Sequence, residues 1–488
     1  MSMRRSASHR SLPLIGVLAL VVLLLFAFTT PVSAATLCVN TGGTGGCYAS
    51  IQAAVNAAGD GDTIEVHTGT YSESVDLAQA AGDITVVAVD GPGTVTVNGG
   101  ANPAFHTSVG HAGDVTIDGF VLHSNSWGIH MWFTVGDVEI RNVTASSTGA
   151  SGIELGPVGN VSISDCTVND NPLYGIGIGV DVDDVTIANC TANNNGLGGI
   201  TVQFPDEVTI TNCTANGNDA GGIGAGWAGD VTITNCTANN NAPVGISAHL
   251  AGDVTITNCT ANNNDGGLGG ISASSSGNVT IFGSVAQGNS NGVRLGPDIS
   301  SVGVNGSVIC NNNHEGLELL WSGTVDATAN WWGCPNGPGN PGCDTVDPGT
   351  GTVNFDPWID TVTASGPTSA MAGEATVVTF QFSNAARTVF LGEGPGHLHG
   401  DPTFIVTTDN GTITEGGFIN APDGVMEVTL VPDHGGTATV SVDGPCGLDA
   451  SIVLDVESEF VPEPGTMLLL GSGLMGLAGY ANLRLRKK

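Results

Sequence analysis

A period of about 23 residues, running from Val115 to Asn312, limits what this chain can fold into more than any other feature. Its plainest copies read Val-Thr-Ile-Thr-Asn-Cys-Thr-Ala-Asn and start at Val208, Val231 and Val254. One column holds Phe120, Val143, Cys166, Cys190, Cys213, Cys236, Cys259, Ser284 and Ser307. Three residues earlier, an aliphatic column runs from Ile117 through Ile140, Ile163, Ile187, Ile210, Ile233, Ile256 and Ile281 to Val304. Five residues after the first column stand Asn125, Thr148, Asn171, Asn195, Asn218, Asn241, Asn264, Asn289 and Asn312. A second short strand opens on Gly-Ile, as at Gly128-Ile129, Gly199-Ile200 and Gly270-Ile271. Alternation in Val-Thr-Ile-Thr puts the aliphatic residues on one face and threonine on the other, which is a half-buried strand. These segments are too short and too rich in Gly and Asn for helices. A unit this small cannot bury its own apolar face, but stacked coils can, and stacking aligns equal residues into ladders roughly 4.8 Å apart. The Asn column is read as a tight turn, with Asn in the left-handed region and its amide bonded to the next Asn in the stack.

The pattern resembles the right-handed parallel β-helix of the pectin-lyase type, over about residues 48–345. The resemblance implies an all-β rod. That fold hosts lyases, hydrolases, adhesins and inert stalks alike, so it does not settle function. About twelve coils, from about Thr63 to Asp326, would make a rod of roughly 55 Å. The cysteines from Cys166 to Cys259 are read as small buried fillers.

The chain has 45 acidic and 10 basic residues. Seven of the basic residues lie at the two ends, leaving Arg141, Arg294 and Arg387 between them. Such a surface repels nucleic acid and anionic lipid. Residues 1–34 read as a secretory signal: a basic start, an apolar run from about Leu12 to Phe28, and the small-residue site Val32-Ser33-Ala34. At the other end, Val461-Pro462-Glu463-Pro464-Gly465-Thr466 leads into an apolar stretch and then Arg484-Leu485-Arg486-Lys487-Lys488. Residues 461–488 resemble the PEP-CTERM sorting signal of bacteria that make exopolysaccharide. The resemblance implies an exosortase as processing partner, transient membrane association through the short C-terminal helix, and a final place at the cell surface or in the extracellular matrix.

Residues 35–62 are expected to cap the rod, with a short amphipathic helix over Ser50–Ala58. Cys38 and Cys47, and again Cys334 and Cys343, sit nine apart in loop-rich segments, and each pair is expected to form a disulfide outside the cytoplasm. The partners of Cys310 and Cys446 stay open. The rod with its C-terminal cap is placed at 63–360. From 361 to 460 the period vanishes, and short alternating strands over Ala375–Phe382, Thr403–Thr408, Gly424–Val431 and Gly436–Val442 read as a β-sandwich. Val406-Thr407-Thr408-Asp409-Asn410-Gly411 and Gly435-Gly436-Thr437-Ala438-Thr439-Val440 resemble bacterial Ig-like domains.

Alternation along the second strand points His130, Trp132, Glu154, Thr201, Gln203, His249, Arg294 and Glu318 outward. An aromatic ring beside polar groups suits a sugar, so this set is the candidate carbohydrate face. Gly177, Gly179, Gly224 and Gly226 would leave a flat floor between them, and His106, His111, His123 and Trp127 would enlarge its N-terminal end. Asp137, Asp184, Glu207, Asp230 and Asp253 fall in one turn column, where calcium is the ion their oxygens would suit. No cofactor is required by any motif. His397 and His399 form a weaker metal candidate in a Gly-rich loop.

Pectate lyases of this shape use an Arg base with acidic calcium ligands, and the related hydrolases carry paired Asp. The comparable turns here, Asn193-Asn194-Asn195 and Asn239-Asn240-Asn241, hold no Asp pair. Arg141 has Asp118 one coil below, and Arg294 has Glu318 one coil above. The expected function is therefore a non-catalytic surface or matrix protein that binds or scaffolds polysaccharide. A polysaccharide lyase or glycoside hydrolase is the alternative. An ice-binding solenoid, from the hydroxyl grid of Thr209, Thr211, Thr232, Thr234, Thr255 and Thr257, is the minor one.

Overall fold

The computed structural model describes residues 34–134, 136–383, 405–420 and 425–458. The secretory signal, the His397/His399 pair and the sorting motif lie outside them, apart from Ala34 of the signal.

Each coil of the rod gives one strand to each of two long parallel sheets. The broader sheet has 14 strands, from Thr36–Val39 to Thr352–Asn354, added in chain order. The other has 12 strands, from Val75–Asp76 to Val346–Asp347, and contains the Gly-Ile strands. A third, narrow face closes each coil. It is a three-stranded sheet near the start, then single bridges such as Thr191↔Thr214 and Thr214↔Thr237, then the pair Val285–Gln287 and Val308–Cys310. Register is unbroken where the repeat is clearest: Val208 pairs with Val231, and Val231 with Val254.

Stacking turns each apolar column into a continuous core. Ile140, Ile163, Ile187, Ile210, Ile233, Ile256 and Ile281 are all fully buried, and so are Ile129, Ile153, Ile176, Ile200, Ile246 and Ile271 on the opposite sheet. The five column cysteines are each 1% exposed and carry free thiols. A Cβ at Gly222 would fall 2.7 Å from Asn241 Nδ2 and 2.8 Å from Ala238 Cβ, which is why glycine opens the second strand.

The buried Asn column is a hydrogen-bond ladder. Asn218 Oδ1 accepts the backbone N–H and the amide of Asn195, at 2.9 and 3.0 Å, and Asn218 donates likewise to Asn241 Oδ1. The ladder residues, however, do not adopt the left-handed backbone expected of them. Their predecessors do: Asp170, Asn194, Asn240, Asn263 and Asn311 have φ between 55° and 58°, and Gly217 and Gly288 lie near them. A second left-handed column precedes the cysteines, at Asp165, Asn189, Asn212, Asn235 and Asn258. The physical reason is a division of labour. The turning residue points outward, and the next side chain points inward to satisfy buried N–H groups.

The N-terminal helix spans Ile51–Val55, capped by Ser50, whose side chain accepts from Ala53 N–H. Cys38–Cys47 and Cys334–Cys343 are disulfides, and a third joins Cys310 to Cys446. The C-terminal region forms two four-stranded sheets compatible with a sandwich. Val362–Ser365, Thr376–Phe382, Val425–Val431 and Thr412–Asn420 make one; Ser369–Met371, Ala450–Glu457, Gly436–Asp443 and Ile405–Thr408 make the other. Its core, with Val378, Phe380, Val428, Val440 and Leu454, is continuous with Val285, Val308, Cys310 and Trp331 of the narrow face.

Candidate glycan-binding face

The outer face of the 12-stranded sheet carries two rows of side chains, set by alternation. In the first, His106, His130, Glu154, Gly177 and Thr201 pair in register, and the row continues through Gly224, Ser247, Ser272, Arg294 and Glu318. The second row contains Trp132, Gln203, Gly226, His249 and Ser274, two residues further along each strand. All eight residues expected to face outward are half-buried on this one face. They do not form one pocket. From His130 to Glu318 there are eight inter-strand steps, about 38 Å.

The N-terminal group is the best ordered chemically. Trp127 Nε1 and Ser151 Oγ both donate to Glu154 Oε2, at 2.7 and 2.8 Å. The His130 ring lies on Trp127, with centroids 4.6 Å apart and planes 31° from parallel, and Trp132 is 6.0 Å beyond it. Burial holds His130 below the usual imidazole range; the nearby Glu154 charge opposes this and His106 reinforces it. His106 belongs to this group, but two other expected members do not. His111 is buried at 2% exposure, and His123 is exposed on the three-stranded sheet. His111 precedes the regular period, so spacing alone could not place it, whereas His123 falls within the period, three residues after Phe120 and away from the Gly-Ile strand.

The glycines were expected to leave an open floor, and part of it is roofed instead. A Cβ at Gly156 would come within 2.5 Å of the Trp132 indole, and one at Gly226 within 2.7 Å of the His249 ring. Tyr174 lies over Gly177, with its ring 3.2 Å from a Cβ there. Glycine here seats rings against the sheet, while no ring lies within 4 Å of a Cβ at Gly179 or Gly224. Burial also holds His249 below the usual imidazole range.

At the C-terminal end Arg294 Nε donates to Glu318 Oε2 at 2.7 Å, and Asn291 Nδ2 donates to the same oxygen. Arg141, on the 14-stranded sheet, is paired with both Asp118 and Glu139. These are the Arg and Lys side chains among the described residues, and both are ion-paired.

The acidic column lies along one edge of the 14-stranded sheet. Asp137 N–H donates to Asp114 Oδ1, and Asp137 Oδ1 accepts from the N–H and amide of Asn160. Asp253 repeats this with Asp230 and Asn278, and the Asn278 bonds hold its carboxyl below the usual range. Asp184, Glu207 and Asp230 stand one per coil in register. Asp114, Thr116, Asp137, Glu139, Asp184 and Thr186 line a shallow concavity of about 560 Å³ there. Among the described residues no three His, Cys, Asp or Glu side chains gather to hold an ion.

Aromatic residues that the sequence reading missed flank the face. Phe133, Phe204 and Trp227 lie in the turn after the second strand and are 61%, 41% and 44% exposed. Phe204 and Trp227 stack at 5.0 Å and 12°, and His249 meets Trp227 edge-on at 5.1 Å. The signal was available: each follows the outward residue of its strand in register, at Gln203 and Gly226.

The chain matches the family described as right handed beta helix region over residues 101–230, 151–296 and 228–331, and the PEP-CTERM protein-sorting motif over residues 460–487. No curated protein sequence matches it. It is similar to a mutant of the periplasmic alginate epimerase AlgG, with 12% identity over 61% of this chain and 76% of that one and a TM-score of 0.36. It is similar to the pectate lyase Pel9A, with 16% identity over 67% and 78% of the two chains and a TM-score of 0.28. It is also similar to tailspike protein gp49 from Acinetobacter baumannii bacteriophage Fri1, a capsular polysaccharide depolymerase, with 12% identity over 86% of each chain and a TM-score of 0.35. Among the described residues no helix is long and apolar enough to cross a membrane. The sorting motif indicates exosortase-dependent processing and fits an exported, surface-associated protein. The chain thus carries a parallel β-helix, matched by the right-handed β-helix family over residues 101–331, and a PEP-CTERM protein-sorting motif at residues 460–487.

Proposed function

We propose that this is a secreted, non-catalytic protein of the cell surface or extracellular matrix that binds polysaccharide along the 12-stranded face and so acts in adhesion or scaffolding. The observation that carries the reading is the His130–Trp127–Trp132 group beside Glu154. Rings held against glycine offer apolar surface to sugar C–H groups, and adjacent oxygens offer hydrogen bonds to hydroxyls. The ion pairs of Arg141 and Arg294 support binding over lyase chemistry, because an arginine acting as base must first lose its proton, and a paired carboxylate opposes that.

The test is a glycan array on the purified protein, with and without calcium, together with assays for new reducing ends and unsaturated uronates. Binding without turnover, lost in His130→Ala/Trp132→Ala, is the expected outcome. Turnover that persists through purification overturns the reading in favour of a lyase or hydrolase. Binding that needs calcium would return attention to Asp137, Asp184, Glu207, Asp230 and Asp253.

A further inference from the structure

The turn after the second strand is the third place in the coil where left-handed backbone recurs; Asp181 and Ser275 keep the rule of the other two there, and four other coils break it. Before the cysteines and before the Asn ladder, the left-handed residues from Asn142 to Asn311 are all Asn, Asp, Ser or Gly. Those residues tolerate positive φ. At the third turn φ is 63° at Phe133, 60° at Phe204, 50° at Trp227 and 53° at Leu250. Bulky side chains are outliers in this region, and here they lie on the surface, with Phe204 and Trp227 stacked on one another rather than packed into the core.

Register makes these residues one feature. They lie two positions after Met131, Leu155, Ile178, Val202, Ala225 and Ala248, which pair in sequence along the sheet. The column is therefore Phe133, Pro157, Val180, Phe204, Trp227 and Leu250, apolar in six successive coils. Apart from half-buried Pro157, its members are 40% to 61% exposed: 61%, 40%, 41%, 44% and 44% in order. It forms a ridge of five inter-strand steps, about 24 Å long.

We infer that this ridge is the apolar rail of a binding track for one uncharged polysaccharide chain lying parallel to the rod axis. The inference rests on the proposed carbohydrate face and adds its ligand class and direction. Along its inner side run Thr201, Gln203, Ser247 and His249, half-buried and polar. A rail of rings beside a row of hydroxyl, amide and imidazole groups matches a pyranose chain, which alternates apolar C–H faces with hydroxyls. One coil advances by about 4.8 Å, close to the length of one sugar in an extended chain, so successive sugars meet equivalent positions. Charge selects among glycans. Arg294 is ion-paired, Glu154 stands at the head of the track, and the chain carries a net charge of −35, so uronate polymers and anionic lipid are repelled. The same charge opposes a second copy of the chain as the occupant.

The test replaces Phe204 and Trp227 by Asn, which suits left-handed backbone and should leave the melting temperature unchanged or raise it. Wild-type and Phe204→Asn/Trp227→Asn protein are compared for retention on immobilised β-1,4-glucan, β-1,4-mannan, dextran and polygalacturonate. The expected result is retention on a neutral polymer, weakened about tenfold or more in the double variant. Polygalacturonate should not retain either protein. Neutral-glycan binding that His130→Ala/Trp132→Ala abolishes and the Asn pair leaves intact overturns the track while the proposed face survives. Binding to no glycan removes both. Stronger retention on polygalacturonate overturns the ligand class. Concentration-dependent self-association of wild type that the Asn pair abolishes, without glycan binding, overturns the track in favour of a second copy.

Discussion

Asn312 ends the buried asparagine ladder on a carboxylate: its Nδ2 donates to Asp344 Oδ2 at 2.6 Å, and its backbone N–H reaches Asp344 Oδ1 at 3.2 Å. Each earlier step ends on an asparagine amide instead, as at Asn264 and Asn289.

Burial pushes the Asp344 carboxyl above the usual carboxylate range, although the Asn312 bonds oppose it. A folded pKa above the unfolded one means that the fold favours the protonated acid. That stabilisation is complete below the unfolded pKa and is lost as pH rises through the folded value. Asp344→Asn keeps an acceptor oxygen and removes the charge. It should match or exceed wild type in stability at pH 7, with the advantage shrinking as pH falls. Asp344→Leu leaves the Asn312 backbone N–H unpaired and its Nδ2 with Ala286 O as its remaining acceptor, and should cost about 1–3 kcal/mol. Urea titrations at several pH values separate these outcomes. A less stable Asp344→Asn at pH 7 would mean that the charge itself anchors the ladder.

Much of this was legible because a solenoid writes its packing into the period. The Ile and Cys columns, the Gly-Ile strand and the outward placement of His130, Trp132 and Glu154 follow from alternation within a coil. What lay beyond reach depended on backbone angles or contacts between distant segments. Nothing in Asn-Asn-Asn says which residue turns the chain, so Asn195 was read as left-handed when Asn194 is. Glycine reads as open floor unless the ring that lies on it is known, as His249 lies on Gly226. Phe204 and Trp227 were passed over although each follows an outward position that the period already placed, at Gln203 and Gly226. Cys310 and Cys446 are 136 residues apart, and only the docking of the sandwich on the narrow face brings them together.

The two kinds of column asparagine should respond differently to mutation. Asn218→Ala removes the acceptor of two buried donors on Asn195, which should cost about 2–3 kcal/mol. Asn212→Ala removes a side chain that suits positive φ and should cost roughly 1–2 kcal/mol. Asn212→Gly should be nearly neutral, because Gly283 and Gly306 already hold that turn in later coils. Chemical denaturation of the three variants checks the order. A neutral Asn218→Ala would show that the buried ladder is dispensable.

The cysteine column should be chemically silent. Cys190 and Cys213 are each 1% exposed, and, against the opposing bond from the preceding thiol, the hydrogen bond to the next thiol in the column, followed by burial, pushes both well above the usual thiol range. Iodoacetamide should label none of the five in the folded protein and all five in denaturant, read by intact mass. Ser284 occupies the same column, where its Oγ accepts from Cys259 N–H at 3.1 Å. Cys236→Ser should therefore change stability by about 1 kcal/mol or less, while Cys236→Leu should overpack the coil and cost about 1–3 kcal/mol. Labelling under native conditions would mean that the coils open locally.

The Cys310–Cys446 bridge should act on the sandwich more than on the rod. Cys310 is fully buried in the narrow face, beside Val308 and Trp331, and those residues share a core with Phe380 and Val440. The rod is held by its own ladders on either side of Cys310, through pairs such as Val285↔Val308 and Val308↔Trp331. The sandwich has no strand paired with the rod among the described residues, so it depends on this patch and this bridge. Cutting the bridge lengthens the accessible loop in the unfolded ensemble and should cost about 2–4 kcal/mol. Cys446→Ser is the cleaner variant, because it leaves the buried Cys310 thiol in an apolar site. Proteolysis followed by mass spectrometry should then show cleavage between 361 and 458 well before any within 115–312, whereas wild type resists at both. Equal loss of protection in rod and sandwich would mean that the two unfold as one cooperative unit, with the bridge stabilising both.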